Sequence, residues 1–440
     1  MKLLSALGAA TLMLVVACGD GTAPAPKRPA IPDTLTNCDI TEAGCQLGIF
    51  ESVAELLEQD STDVPPIRTI SVAQFEEETR SGFSEDDFTG DDPATRGLRL
   101  VGFLPDAAGS ALEDAIDLRI SSVAAYYNSR DRAITVIDRD YDEGFAQTIL
   151  AHEFVHAFQD IEFGISEVFR GADTTDAVMG ARTVIEGDAQ YASFAWYYEQ
   201  EGIDLTSIDW EEIYTSFQES AKQAAEDLSL SIDASAGTFP YAYGIDLLGN
   251  ATQAQGLPGR AAFFMATPQS ALDAMLGYEG FVAQGFTPID APTEALSTPV
   301  DGSELSIEDR AGAWYVYATL LRAGYDESAA WAGAIQWRGD RLGVFESGSE
   351  VVAVWRVRVQ DDPAFLVDAI AGTMRDVSWS AQADGSDVYV IAAESDQALA
   401  TWEAQPLSLM AAMVAAAPDV RKGLLARETG GCSPPPPPPR

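Results

Sequence analysis

At 440 residues, 47% hydrophobic and 22% charged, the chain is long enough to bury two or three cores and too apolar to stay disordered. Sixty-nine acidic residues against 26 basic ones give a formal charge of −43, which repels phosphate backbones and argues against nucleic acid as a partner. The acidity itself reads as a strongly hydrated surface.

The first 18 residues read as a targeting signal. Lys2 supplies a positive start, and Leu3 to Ala17 is apolar but short for a membrane span. The run ends in "VVACGD", where small residues before Cys18 resemble a bacterial lipobox. That resemblance implies a lipidated Cys18 and a chain anchored in the cell envelope, at the outer membrane or periplasm or at the cell surface. Each buried acyl methylene adds about 0.8 kcal/mol to such an anchor. No later segment has eighteen uninterrupted apolar residues. Residues 19–36 are Pro/Ala-rich at their start and are expected to be a flexible tether. Beyond Cys18, Cys38 and Cys45 could close a small loop in an oxidising space, with Cys432 left over; sequence alone leaves the pairing open.

Apolar spacing predicts a helix over 48–60, and 67–80 reads as a short strand followed by a helix capped by Ser71. Residues 84–97 are acidic and read as a solvated loop. Residues 109–126 have helical spacing, and 126–138 reads as strand, turn, strand around "NSRD". Helices are expected at 145–163, 176–200 (after a Thr174 or Thr175 cap), 209–228, 241–254, 269–277, 308–323 and 363–375. A strand is expected at 387–395 and a last helix at 408–428. The tail from 429, "GGCSPPPPPPR" after Thr429, has polyproline character.

Both histidines of the chain lie in "LAHEFVHAFQD", residues 150–160. On a helix, positions four apart share a face, so His152 and His156 can direct ring nitrogens at one ion. Zinc accepts imidazole at roughly 2.0–2.1 Å in tetrahedral surroundings. Glu153 follows the first histidine and can accept a proton from a metal-activated water as it attacks a carbonyl. This is the H-E-x-x-H pattern. With no third histidine, the third ligand must be a carboxylate. Asp160, Glu162, Asp173 and Asp176 are available, but Glu186 in "VIEGDAQ" stands out. It sits among apolar residues in the middle of the next helix, where an unpaired carboxylate is costly to bury. Gly187 beside it costs about 1 kcal/mol in a helix, which close helix packing or substrate approach would explain.

His152, Glu153, His156 and Glu186 together resemble the gluzincin branch of zinc metallopeptidases, the thermolysin-like class. The separation of 30 residues (186 − 156) is longer than usual there, and Gln190 stands where the family has an aspartate; Asp188 could orient a histidine instead. Segments such as "AYYNSRDRAITVID", "IEGDAQ", "FPYAYG" and "WRGDRLGVF" are similar to a little-characterised family of bacterial secreted or lipid-anchored metallopeptidases, over most of residues 67–375. The resemblance implies an α+β, zincin-like fold over 37–375. A small sheet and the zinc helix would end near 165, with a mainly helical part after them. A C-terminal strand and helix extension over 376–428 would follow. It also implies zinc as cofactor and a peptide or protein as substrate. For the oxyanion it implies a phenol or guanidinium donor: Tyr241 first, then Tyr243, with Arg341 as another candidate and Asp340 as its ion-pair partner. Trp331 and Trp337 read as core. "AITVI", 133–137, is expected to be the edge strand that pairs with extended substrate. The alternatives are another metal-dependent amide hydrolase acting on cell-wall peptide, and a non-catalytic zinc-binding envelope lipoprotein.

Overall fold

The computed structural model describes residues 28–61, 63–82, 92–105, scattered positions between 113 and 120, 123–141, 144–289, 300, 302–374 and 377–405, and the backbone of 421 and 422. The readings for the signal segment with Cys18, the acidic loop at 84–91, most of the last helix and the Cys432 tail lie outside these residues. The fold is α+β, with two sheets and many helices. Among the described residues no helix is long and apolar enough to cross a membrane.

The smaller sheet has three strands: β1 (Ile67–Ser71), β2 (Ala125–Asn128) and β3 (Ala133–Asp138), in the order β1-β3-β2. β3 pairs in parallel with β1 and antiparallel with β2. The "AITVI" segment is therefore the central strand, hydrogen-bonded on both sides, and has no free edge for a substrate. Its continuous apolar run is what a strand needs when both its faces are covered. The edge on the side of the helix that carries His152 and His156 belongs to β2.

The Cys38–Cys45 disulfide, whose Cα atoms are 5.6 Å apart, ties the chain before helix α1 (Ala43–Leu56) to its first turn. Residues 30–36, expected as tether, pack onto it. A Cβ on Gly44 would lie 2.0 Å from Ala30 O, and one on Gly48 would lie 2.5 Å from Leu35 Cδ2. Thr36 Oγ1 also donates to Glu201 (2.7 Å). Helix α2 (Val72–Ser81) starts at the expected Ser71 cap, which the structure extends to a capping box: Gln74 N–H donates to Ser71 Oγ (3.3 Å) and Ser71 N–H to Gln74 Oε1 (2.9 Å). Helix α3 (Pro93–Leu100) occupies the end of the segment read as an acidic loop. Its start is capped by Asp92, and Gly97 lies against Val344.

Helix α4 (Phe145–Glu162) carries both histidines and is buried on every side from Ala146 to Asp160. Phe154 and Phe158 meet Phe50 of α1 at 5.3 and 5.1 Å between ring centroids. A short α5 (Ile165–Val168) leads to α6 (Thr175–Gln200), capped by Thr174 as expected. At 26 residues α6 is roughly 40 Å long and reaches from the C-terminal half of the molecule to Trp196 beside α1.

Helix α7 (Trp210–Glu226) precedes α8 (Ile232–Gln255), which begins nine residues before the expected start. Ser231 caps it by accepting from Ala234 N–H (2.9 Å), and Pro240 is carried inside the helix instead of beginning it. Helices α9 (Leu257–Met265), α10 (Ala271–Met275) and α11 (Gly277–Gln284) complete this layer.

The larger sheet corrects the expectation of a mainly helical second part. Its strands are β4 (Ser303–Asp309), β5 (Trp337–Ser347), β6 (Glu350–Val359), β7 (Ser378–Asp384), β8 (Asp387–Ala393) and β9 (Arg421–Lys422), in the order β7-β8-β6-β5-β4-β9. Residues 308 and 309, expected to open a helix over 308–323, end strand β4, and the helix that follows is α12 (Ala313–Arg322). The same sheet runs through the boundary placed at 375, because β8 pairs with β6. Residues 421 and 422, expected within a helix, pair in parallel with β4. Helices α13 (Glu327–Ala334), α14 (Ala364–Thr373) and α15 (Asp396–Glu403) flank the sheet.

Candidate metal centre

The site is built where α4 crosses α6. His152 and His156 are 0% and 2% exposed, and Glu186, halfway along α6, is 1% exposed. Glu186 Oε2 lies 3.4 Å from His152 Nε2 and 3.5 Å from His156 Nε2. One ligand atom from each of the three side chains falls within 4.8 Å of the others, so the group could hold a metal ion. Glu186 is the carboxylate that joins the histidines. Asp160 instead accepts from Tyr127 Oη (2.9 Å) and Ile165 N–H (3.1 Å), and Asp176 is engaged by Arg310 (2.9 Å). Glu162 accepts from Gln59 (3.0 Å), and Asp173 is exposed.

Glycines bring the helices this close. A Cβ on Gly187 would lie 2.2 Å from the Gly244 carbonyl carbon, and one on Gly244 would lie 2.4 Å from Thr183 O. Gly187 therefore reflects helix packing, α6 against α8. One turn before this crossing α8 carries Tyr241, 4% exposed, with its ring centroid 6.2 Å from that of His152.

A buried relay sets the protonation of His156. Gln159 Nε2 donates to Ile185 O (3.0 Å) and to Asp188 Oδ2 (2.8 Å). The amide oxygen is then the atom facing His156 Nδ1 (2.9 Å), so Nδ1 carries the proton. Nε2 is left with its lone pair toward Glu186. Asp188 is held in turn by Arg260 through two bonds (2.6 and 2.9 Å). Asp188 thus orients a histidine, as expected, but through Gln159 and not directly. A ligating histidine usually donates its other ring nitrogen to such a partner.

The charge states suit a cation. Burial, reinforced by neighbouring His156, lowers the His152 pKa to about 4, so the imidazole is neutral. Burial alone would raise Glu186, but the neighbouring His152 and His156, with the Arg182 charge, hold its carboxyl well below the ordinary value. A neutral imidazole at His152 and an ionised carboxylate at Glu186 are forms that ligate a divalent metal. No hydrogen-bond partner is found for His152 Nδ1 among the described residues.

Glu153 is fully buried on the next position of α4. Its Oε2 accepts from Tyr127 N–H of β2 (2.7 Å), while Oε1 has no hydrogen-bond partner among the described residues. Burial raises its pKa to about 8, against the opposing pull of His156. The sequence reading missed Tyr127, whose backbone positions Glu153, and Arg182, whose guanidinium is 3.9 Å from Glu186 Oε1. Arg182 was detectable, since it precedes Glu186 by four residues on one helix face.

Other candidates lie elsewhere. Arg341 pairs with Glu308 on the larger sheet. Asp340 does not pair with Arg341. It accepts from Ala311 and Gly312 N–H (2.9 and 2.8 Å) and from the indoles of Trp337 and Trp355 (2.9 and 3.0 Å). Tyr243 stacks on Phe239 and Trp331. Trp337 is core, and Trp331 is half-buried.

Comparison with protein-family models, with curated proteins and with solved structures finds no match for this chain.

Proposed function

We propose that this chain is a zinc-dependent peptidase, cleaving within peptide chains and anchored in the bacterial envelope through lipid on Cys18. The observation that carries the reading is the convergence of His152, His156 and Glu186 on one buried point with Glu153 beside it. His152, His156 and Glu186 would hold the metal, and two imidazoles with one carboxylate match catalytic zinc. Zinc bound there supplies Lewis acidity, polarising a carbonyl and acidifying water.

The chain's own groups supply the rest. Glu153 takes up a proton at Oε1 while Oε2 stays held by Tyr127 N–H, so its orientation survives the change of charge. In its ionised form the carboxylate can accept a proton and return it to a leaving amine. The Tyr241 phenol is the candidate donor to the developing oxyanion. A purely structural site has no use for Glu153, which favours hydrolysis over a non-catalytic role.

Metal analysis of the purified protein tests the reading. One zinc per wild-type chain is expected, with loss in His156→Ala and in Glu186→Ala, and hydrolysis of unstructured peptides by the wild type alone. Zinc retained after Glu186→Ala would remove Glu186 from the ligand set and the reading with it.

A further inference from the structure

Residues two apart on a helix point about 200° away from each other. Tyr241 faces His152, so Tyr243 faces the opposite side of α8, where a separate cavity of about 680 Å³ opens. One wall is aromatic. Trp331 stacks on Tyr243 (5.9 Å, 17° between planes) and meets Tyr317 edge-on (5.7 Å, 88°). The other wall is acidic: Glu219, Asp246, Asp326 and Glu327 line it against a single Lys222, a net of three negative charges (4 − 1).

Two phenols of largely buried tyrosines open onto this space: Tyr243 and Tyr317 are 4% and 1% exposed, and neither hydroxyl has a hydrogen-bond partner among the described residues, so each is free to meet a guest in the cavity. Both phenols are pushed up, first by burial and then by the carboxylates of Glu327 and Glu219, which places the hydroxyls in the field of the acidic wall. The chain also carries its own stand-in for a ligand. Lys222 Nζ donates to Glu327 (2.8 Å) and Glu219 (3.1 Å), so the rim already accommodates an alkylammonium. Asp246, deeper and half-buried, accepts only from the neutral amides of Gln218 (3.0 Å) and Asn250.

We propose that this cavity binds an organic cation with an apolar stem, a primary ammonium or a guanidinium. Its charge is met by Asp246, Glu219 and Glu327, and its stem lies on Trp331, Tyr243 and Tyr317. The phenol oxygens accept from the guest's N–H groups. The site is independent of the metal centre and stands whether or not that centre hydrolyses peptides.

Calorimetric titration of the full chain tests it with three probes: cadaverine, N-acetyl-lysine amide, and N-acetyl-norleucine amide as the uncharged control. Saturable binding of at least one cationic probe is expected, with the norleucine compound about tenfold weaker or worse, the size of one partly desolvated cation–π contact or charge pair. Trp331→Ala and Glu327→Gln should each weaken the cation by a similar factor. Glu327 is exposed, so its variant tests the charge without endangering the fold. Tyr317→Phe should weaken binding by a few-fold, as expected for one hydrogen bond to a charged guest. Binding of cadaverine alone identifies a free amine as the ligand; binding of the blocked lysine alone identifies a basic side chain; both outcomes support the site. Norleucine binding as tight as lysine, cation affinity unchanged in both Glu327→Gln and Trp331→Ala, or no saturable binding of either cation at millimolar concentration would overturn it.

Discussion

Helix α6 buries two carboxylates, Asp176 at its first turn and Glu186 near its middle, 0% and 1% exposed. Around Asp176 the protein supplies donors at ordinary hydrogen-bond lengths: Arg310 at 2.9 Å, Ala271 N–H at 2.9 Å and Ser270 at 3.2 Å. Asp309 and Asp340, in the same region, are bound as fully. Around Glu186 stand imidazole nitrogens at 3.4 and 3.5 Å, and His152 Nδ1 and Glu153 Oε1 lack partners among the described residues. The first acts as a structural clasp holding the 309–312 turn against α6 and the sheet. The second gathers two imidazoles and a carboxylate on one point, an arrangement that could hold a metal ion.

The comparison breaks first at Glu153. Glu153→Gln should lower peptide hydrolysis by about 10²–10⁴-fold, the usual worth of a positioned general base, while metal content stays at the wild-type value. Full activity in that variant would sink the mechanism. Asp340→Ala is the matching cut in the clasp. It strands two backbone amides and two indoles, and denaturant melts should show a loss of about 3–5 kcal/mol with no change in metal per folded chain.

Gln159→Leu sharpens the contrast from the other side. It frees His156 to take either tautomer, and metal affinity measured by chelator competition should fall about 10–100-fold with little change in melting temperature. An unchanged affinity would show that the Gln159–Asp188–Arg260 relay serves packing alone.

The smallest effect is a slope. Burial raises Asp309 to about 7, so between about pH 4 and 7 the folded protein holds a proton that the unfolded chain has released. This group's contribution therefore makes stability fall as pH rises through that window and level off above it. Relative to Asp309→Asn, the wild type should lose stability steadily from pH 4 to 7, read from parallel urea melts.

Much of this was written locally. The Ser71 cap, the Thr174 cap, and the long helices carrying His152, His156 and Glu186 follow from patterns within a few residues. So does the Asn128-Ser-Arg-Asp131 turn between β2 and β3. The strand "EVVAVWRVRV" of β6 was equally legible, since its β-branched run marks a buried strand, and overlooking it is why the larger sheet was read as mainly helical. The order of strands in a sheet has no such local mark. β3 reads as a strand either way, and only pairing with β1, 67 residues earlier in register (134 − 67), makes it central. The early start of α8 is similar: Pro240 marks a helix boundary by itself, and only the surrounding packing lets a helix run through it.

The sequence by itself singled out His152, His156 and Glu186 as a candidate metal group, because four-residue spacing on a helix and a carboxylate in an apolar stretch are local constraints. Tertiary structure alone decided what surrounds that set: Tyr127 N–H on Glu153, Arg260 on Asp188, and the Gly187–Gly244 contact that carries Tyr241 to His152. Such partners are chosen by which surfaces meet when the cores close, and distance along the chain carries no record of that.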